Sequence, residues 1–385
     1  MKKIANALLA GAMALAAWQP LAAQSVAEVL QNLKKEIAPD KRTAVWDVNT
    51  IDQNGVPTIW GTVGTQEQKD AVTQALAKAG VGQCSNQLIV LENSLPADHR
   101  WALVKLSIAT LRTSGAHSAE MATQAIMGTP VKVIAADGDW YRVQTPDSYI
   151  AYVPGNSLTF VTPNKLQQWK SARRCIVTVY DSRLVTEPKG DQTVTDLVLG
   201  NVLEYKGEKG KWVLLATPDG RQGYVEKSCV ADFAAWSKQD FSVEQIEKTA
   251  FRMMGSSYLW GGTSTKVTDC SGLSKVSYFS NAIILQRDAS QQALTGLKIK
   301  GSDWQQCQPG DLLFFGNSAT GRVTHVGIYL HDGKYIHCSG QVKVNSLVEG
   351  ADDYLYPALS ASRVNGQVGT AGITAVRNHP WYFQK

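Results

Sequence analysis

A period of 72 residues restricts what the middle of this chain can fold into. Met127-Gly128 is answered by Leu199-Gly200, Trp140 by Trp212, Thr145-Pro146-Asp147 by Thr217-Pro218-Asp219, and Tyr152-Val153 by Tyr224-Val225, each pair offset by 72 positions. A constant offset over several landmarks marks duplicated folding units. Within each copy, short alternating apolar stretches are broken by Gly, Pro and Asp, the pattern of brief strands joined by tight turns. The pattern predicts two small β-barrels of about 60–65 residues, placed at 99–165 and 170–235. Leu166 to Arg174 and Phe233 to Asp240 read as linkers, each holding one Trp.

The flanks have other periods. Val26, Val29, Leu30, Leu33 and Ile37 lie on one helical face, and Thr65 to Ala79 reads as a helix with a capping pattern (Thr65, then Gln68) and a stop at Gly80. Strands are expected at Thr43–Val48, Thr58–Val63 and Leu88–Leu91. This gives a small α/β unit over 24–98, and nothing in it looks catalytic. From Phe241 the order becomes helices first (243–254, then one starting at Cys270) and strands after (312–315, 323–330, 335–337). Helices ahead of an antiparallel sheet describe an α+β domain, here 241–385.

Residues 1–23 have Lys2 and Lys3, a short apolar run and small residues at its exit, the layout of a secretory signal peptide. Asn6, Gln19 and Pro20 interrupt the run, which is too short for a spanning helix, so no stable membrane insertion is expected. The mature chain is expected to begin near Gln24 and to be periplasmic or secreted. Loss of the two lysines takes the formal charge from +5 to +3 (5 − 2). The charges are scattered with no basic stripe, which argues against nucleic acid as a partner. Hydrophobic residues at 44% supply core for two to four domains. Cysteines at 84, 175, 229, 270, 307 and 338 lack the paired short spacings of a zinc site, and no cofactor is implied. Cys175 and Cys229 flank one predicted barrel and either form a bridge or stay as buried thiols.

The chemistry centres on Asp269-Cys270-Ser271-Gly272. Leu273, Val276 and Phe279 continue a helical apolar face, so Cys270 stands at a helix start that Asp269 can cap. A helix N-terminus favours negative charge, which predicts an unusually acidic thiol. Fifty-five residues on, His325 lies in a strand pattern, and twelve further comes Ile336-His337. Singly, such residues are ordinarily structural. Together and in this order they are the nucleophile, base and orienting group of a cysteine hydrolase.

The last 145 residues resemble the NlpC family of papain-like cysteine peptidases, which act on bacterial cell-wall peptides. The matching stretches are Tyr258-Leu259-Trp260-Gly261-Gly262, Asp269-Cys270-Ser271-Gly272, Arg287-Asp288-Ala289-Ser290-Gln291-Gln292, Gln308-Pro309-Gly310-Asp311-Leu312, His325-Val326-Gly327-Ile328-Tyr329 and Ile336-His337. The two repeats resemble bacterial SH3-like domains. The combination looks like γ-D-glutamyl-L-diamino-acid endopeptidases of the dipeptidyl-peptidase VI type.

By this resemblance Cys270 is the nucleophile, His325 the base, His337 the orienting third member, and Tyr258 supports the oxyanion. It implies peptidoglycan-derived peptides as partners. It also implies substrate binding by Asp288, Asp269 and Ser271, with Glu120 and Tyr149 of the first repeat closing a pocket for a free L-Ala amine. The expected reaction is hydrolysis of the γ-D-glutamyl–diamino acid bond of stem peptides in cell-wall turnover. Two other readings stay open at this stage: an endopeptidase of intact polymeric peptidoglycan docked by its SH3-like domains, and a non-catalytic wall-binding protein.

Overall fold

The computed structural model describes residues 25–384 apart from Tyr356. The expected signal peptide lies outside the described residues. Among the described residues, no helix is long and apolar enough to cross a membrane.

At the amino end, helices Val26–Ile37 and Gln66–Lys78 cover a four-stranded sheet. Both start in capping boxes, Ser25 with Glu28 and Thr65 with Gln68, which satisfy backbone donors that a helix start leaves open. Val29, Leu30, Ile59, Val72 and Leu76 form the core between the layers. The first strand runs Trp46–Gln53 rather than from Thr43. The reason is local: Thr43 and Ala44 N–H both donate to the Asp40 carbonyl, at 3.0 and 3.1 Å, which folds 40–44 into a turn. The third expected strand is reduced to Ser85–Asn86 and Ile89–Val90, after which the chain enters a 3-10 turn at Leu91–Ser94.

Two seven-stranded sheets follow, between Trp101 and Phe160 and between Arg174 and Asp232. Counted along the chain, both have the spatial order seven-one-four-five-six-two-three. The sequence repeat therefore has a topological counterpart. Each barrel has its own apolar centre, Val104, Leu111 and Val143 in the first and Leu184, Leu203 and Leu215 in the second. The segments expected as linkers are helical at Pro163–Ser171 and Phe233–Trp236. Thr162 caps the first and Pro163 occupies its opening turn, while Leu166 and Trp169 are buried. Burying those two apolar residues against neighbouring units is what makes a helix stable there.

The register of the second barrel also decides the cysteine question. Cys175 faces Asp232, whereas the Cys229 carbonyl receives the Thr178 N–H. The two cysteines are thus offset by three residues, ~10 Å along the strands, too far for a bridge. All six cysteines are free.

The last domain is α+β. Its six strands are ordered Leu297–Lys300, Ser360–Arg363, Leu312–Asn317, Arg322–Tyr329, Lys334–Ser339, Gln341–Ser346, antiparallel throughout. Helices Val243–Arg252 and Cys270–Phe279 pack on this sheet through Ile246, Ala250, Leu273, Phe314, Val326 and Ile336. The Cys270 helix therefore lies against the strand that carries His325.

Candidate active site

Cys270 is the first residue of its helix, and Asp269 is the cap. The Asp269 carboxylate accepts from Gly272 N–H at 2.7 Å and from Gly261 N–H at 2.9 Å, tying the helix start to the Tyr258–Gly262 turn. The fit there is tight: a Cβ on Gly272 would lie 2.0 Å from the Gly262 carbonyl oxygen. Only glycine lets the helix approach this closely. Arg287 Nη2 donates to Asp269 Oδ2 at 2.6 Å, and Nη1 to Asp269 Oδ1 at 3.2 Å and to Ser271 Oγ at 2.8 Å. Both side chains are buried, 1% exposed for Arg287 and 8% for Asp269. Asp269 and Ser271 were expected at the substrate. In the structure their polar atoms are already engaged with the helix start and Arg287.

The Val326 N–H donates toward the Cys270 sulfur, which places the thiol against the His325 strand, one residue from His325. His325 Nε2 is 2.7 Å from His337 Nδ1, and His337 Nε2 is 2.8 Å from Asn345 Oδ1. The tautomers follow from the far end. Asn345 Nδ2 donates to the Asp353 carbonyl at 2.6 Å, so its Oδ1 must accept from His337 Nε2–H. Neutral His337 then accepts at Nδ1 from His325 Nε2–H, and His325 Nδ1 is left as the basic nitrogen.

Burial, followed by the adjacent Asp269 carboxylate, pushes the Cys270 thiol up to about 11. Burial and then His337 push the His325 imidazole down to about 3. Burial thus works against the acidity that the helix start favours, because desolvation penalises a thiolate. Tyr258 lies next to this thiol, and its hydroxyl is raised above the ordinary phenol range by burial and then by Cys270.

Asp288 begins the short helix Ala289–Gln292 and receives Arg42 Nη1 at 2.8 Å. Tyr149 of the first barrel is beside it: burial, then the Asp288 carboxylate, raises the phenol above its ordinary range. Glu120 is exposed and makes no ion pair among the described residues. Its neighbour Met121 packs its carbonyl against Gly261. The barrel is docked by more than this. Arg287 Nε donates to Thr123 Oγ1 at 2.9 Å, Thr263 N–H and Ser264 Oγ both donate to Gln124 Oε1 at 2.9 Å, and Lys275 pairs with Asp147 at 2.6 Å in a buried bridge.

The structure thus brings Cys270 to the His325–His337 strands and Tyr149 to Asp288, and it leaves Glu120 on the surface. Sequence reasoning missed Arg287, Asn345 and Arg42. Arg287 stands in a quoted motif, and Asn345 is a polar residue in the strand after His337. Arg42 carries no sequence signal at all. A thiol beside a base held by a third group is equipped for acyl transfer through a covalent thioester.

The family model described as NlpC/P60 matches residues 255–358, and that described as bacterial dipeptidyl-peptidase SH3 domain matches 111–158. Dipeptidyl-peptidase 6 of Lysinibacillus sphaericus is 29% identical over 261 residues, covering 64% of this chain and 92% of that protein. The γ-D-glutamyl-L-lysine dipeptidyl-peptidase of Bacillus cereus is 26% identical, over 57% of this chain and 67% of its own length. A crystal structure of an NlpC/P60 family protein from Bacillus cereus shares the fold with a TM-score of 0.61 at 22% identity, over 68% of this chain and 99% of that one.

Proposed function

We propose that this chain, which carries an NlpC/P60 domain at residues 255–358 and a bacterial dipeptidyl-peptidase SH3 domain at 111–158, cleaves the γ-D-glutamyl–diamino acid bond of murein stem peptides that carry a free N-terminal L-Ala. The observation that carries this reading is the meeting of Asp288 with Tyr149 of the first barrel. A carboxylate roofed by a second domain is suited to one charged chain end. Burying an ammonium without such a partner is unfavourable by several kcal/mol.

In the proposed reaction Cys270 Sγ attacks the γ-carbonyl carbon of D-Glu while the thiol proton passes to His325 Nδ1. The carbon–sulfur bond forms, and the carbonyl π pair moves onto oxygen. The Cys270 backbone N–H at the helix start and the Tyr258 hydroxyl stabilise this oxyanion. One such donor is worth about 100- to 1000-fold in turnover. Collapse breaks the carbon–nitrogen bond, and His325 returns the proton to the departing amine of the diamino acid. Water, deprotonated by His325, then hydrolyses the thioester and frees Cys270. The residues before Gln24 are proposed to export the enzyme to the compartment that holds such peptides.

The test incubates the protein with L-Ala-γ-D-Glu-diaminopimelate and with the corresponding L-lysine peptide, reading release of L-Ala-D-Glu by mass spectrometry. Release that depends on Cys270 supports the proposal. Release that persists in Cys270→Ala, or intact peptide in both reactions, contradicts it.

A further inference from the structure

The amino-terminal unit reaches the active-site face through one turn. This turn joins its first helix to its first strand, and Arg42 lies in it. Arg42 Nε donates to both Asp40 oxygens at 2.9 and 3.0 Å, and Nη2 donates to Asp40 Oδ2 at 2.7 Å. Nη1 donates to Asp288 Oδ2 at 2.8 Å and to Ser290 Oγ at 2.9 Å. The turn is anchored on two other units. Ile150 N–H donates to the Arg42 carbonyl at 2.7 Å, the Gln144 amide to the Thr43 carbonyl at 2.9 Å, and the Gln291 amide to Asp40 Oδ2 at 2.9 Å. Three units therefore converge on one carboxylate, Asp288.

Such a guanidinium can do one of two things. It can be a removable plug that occupies the place of a substrate ammonium, or a fixed part of the subsite. The anchors favour the fixed part, since the barrel holds the turn by its backbone and withdrawal of the guanidinium breaks its bonds to Asp288, Ser290 and Asp40 together. The charges favour it as well. Asp288 paired with Arg42 alone is neutral and a poor cation acceptor. Asp40 returns one negative charge, so the Asp40–Arg42–Asp288 cluster is anionic by one. A carboxylate has about four lone-pair sites. Asp288 also accepts from the Tyr149 hydroxyl and takes part in a capping box with Gln291, so the bond from Arg42 completes its orientation and leaves about one site for an ammonium.

We propose that Arg42 is a positioning residue for amine recognition: by orienting Asp288, it makes the amino-terminal unit a working part of the subsite. This inference rests on the reading of Asp288 as the acceptor of a free L-Ala amine. Loss of an orienting charge-assisted hydrogen bond is expected to raise KM by about 10-fold.

Steady-state kinetics of the full chain on L-Ala-γ-D-Glu-diaminopimelate test it, with wild type, Arg42→Ala, Arg42→Lys and Asp40→Asn compared, and with thermal melting as the folding control. The expected result is a higher KM with nearly unchanged kcat for Arg42→Ala, partial recovery for Arg42→Lys, and a higher KM for Asp40→Asn. A lower KM in Arg42→Ala identifies a plug and overturns the inference, as does an unchanged KM. If Arg42→Ala does not fold, Arg42→Lys and Asp40→Asn decide, and wild-type KM in both overturns it. The underlying reading has a separate readout in N-acetylated peptide. Wild type that refuses this peptide while Arg42→Ala keeps its KM defeats the Arg42 role alone. Wild type that cleaves it equally well defeats both.

Discussion

His325 Nε2 and His337 Nδ1 lie 2.7 Å apart across neighbouring strands, and the direction of that hydrogen bond is set by Asn345. The register pairs Gly327 with His337 and His337 with Lys343, which brings both imidazoles and Asn345 close together on adjoining strands. An amide held at one end by the Asp353 carbonyl thus sets which nitrogen of His325, the proposed base, is left to take a proton.

Asn345→Ala removes that instruction without touching Cys270 or His325. His337 can then turn, and His325 Nδ1 is no longer held as the base. We expect kcat to fall about 10- to 100-fold, the usual scale for an outer partner that orients a catalytic group, with KM little changed. His325→Ala should cost more, about 100- to 10,000-fold, as expected for a general base. An Asn345→Ala enzyme with wild-type kcat contradicts the tautomer chain.

The acid limb of the pH–rate profile reports on His325. Its folded value is depressed from 6.5 to about 3, so the neutral, basic form persists well below pH 6.5 and is lost only as pH falls toward that value. The Cys270 thiol, raised to about 11, is protonated across the same range. Turnover at saturating substrate should therefore stay level from neutral pH down to about pH 5. KM should rise above about pH 8, where a free α-amine loses its charge. A kcat that halves near pH 6.5 contradicts a base held neutral by burial.

Arg287 is the buried keystone between the Cys270 helix and the first barrel, through Asp269, Ser271 and Thr123. Its removal leaves the buried Asp269 carboxylate without its cation. Arg287→Ala should lower stability by about 3–5 kcal/mol, measured by denaturant unfolding. Arg287→Lys should recover only part of the loss, because an ammonium cannot reproduce the two-pronged contact. A loss within about 1 kcal/mol, the range of surface pairs, shows that the bridge is not holding the helix start.

Much of this site is legible in the sequence, and for definable reasons. Asp269 before Cys270 is a capping signal, and caps act over three residues, so sequence can show them. The 72-residue offset carried the barrels because repetition is visible without knowing which strands pair. What stayed hidden depends on contacts between distant segments. Arg42 meets Asp288 across 246 positions, and no periodicity links them. The burial that opposes thiol acidity at Cys270, 7% exposed, is a property of the packed domain and has no local sequence signal. The linker at Leu166 hid a helix whose Thr162-Pro163 start was readable in the sequence. Glu120, expected with Tyr149 to close the pocket from the first barrel, is exposed just ahead of the strand that begins at Met121.

Cys270 is proposed to cut only peptides whose free amine is received at Asp288. The direct measurement is kcat/KM for L-Ala-γ-D-Glu-diaminopimelate against its N-acetylated form, in wild type and in Asp288→Asn. Wild type should prefer the free amine by at least about 100-fold, the worth of a desolvated charge-assisted contact. Asp288→Asn should lose most of that preference through the free-amine peptide alone. Equal kcat/KM for the two peptides in wild type, or a preference that survives in Asp288→Asn, contradicts the claim.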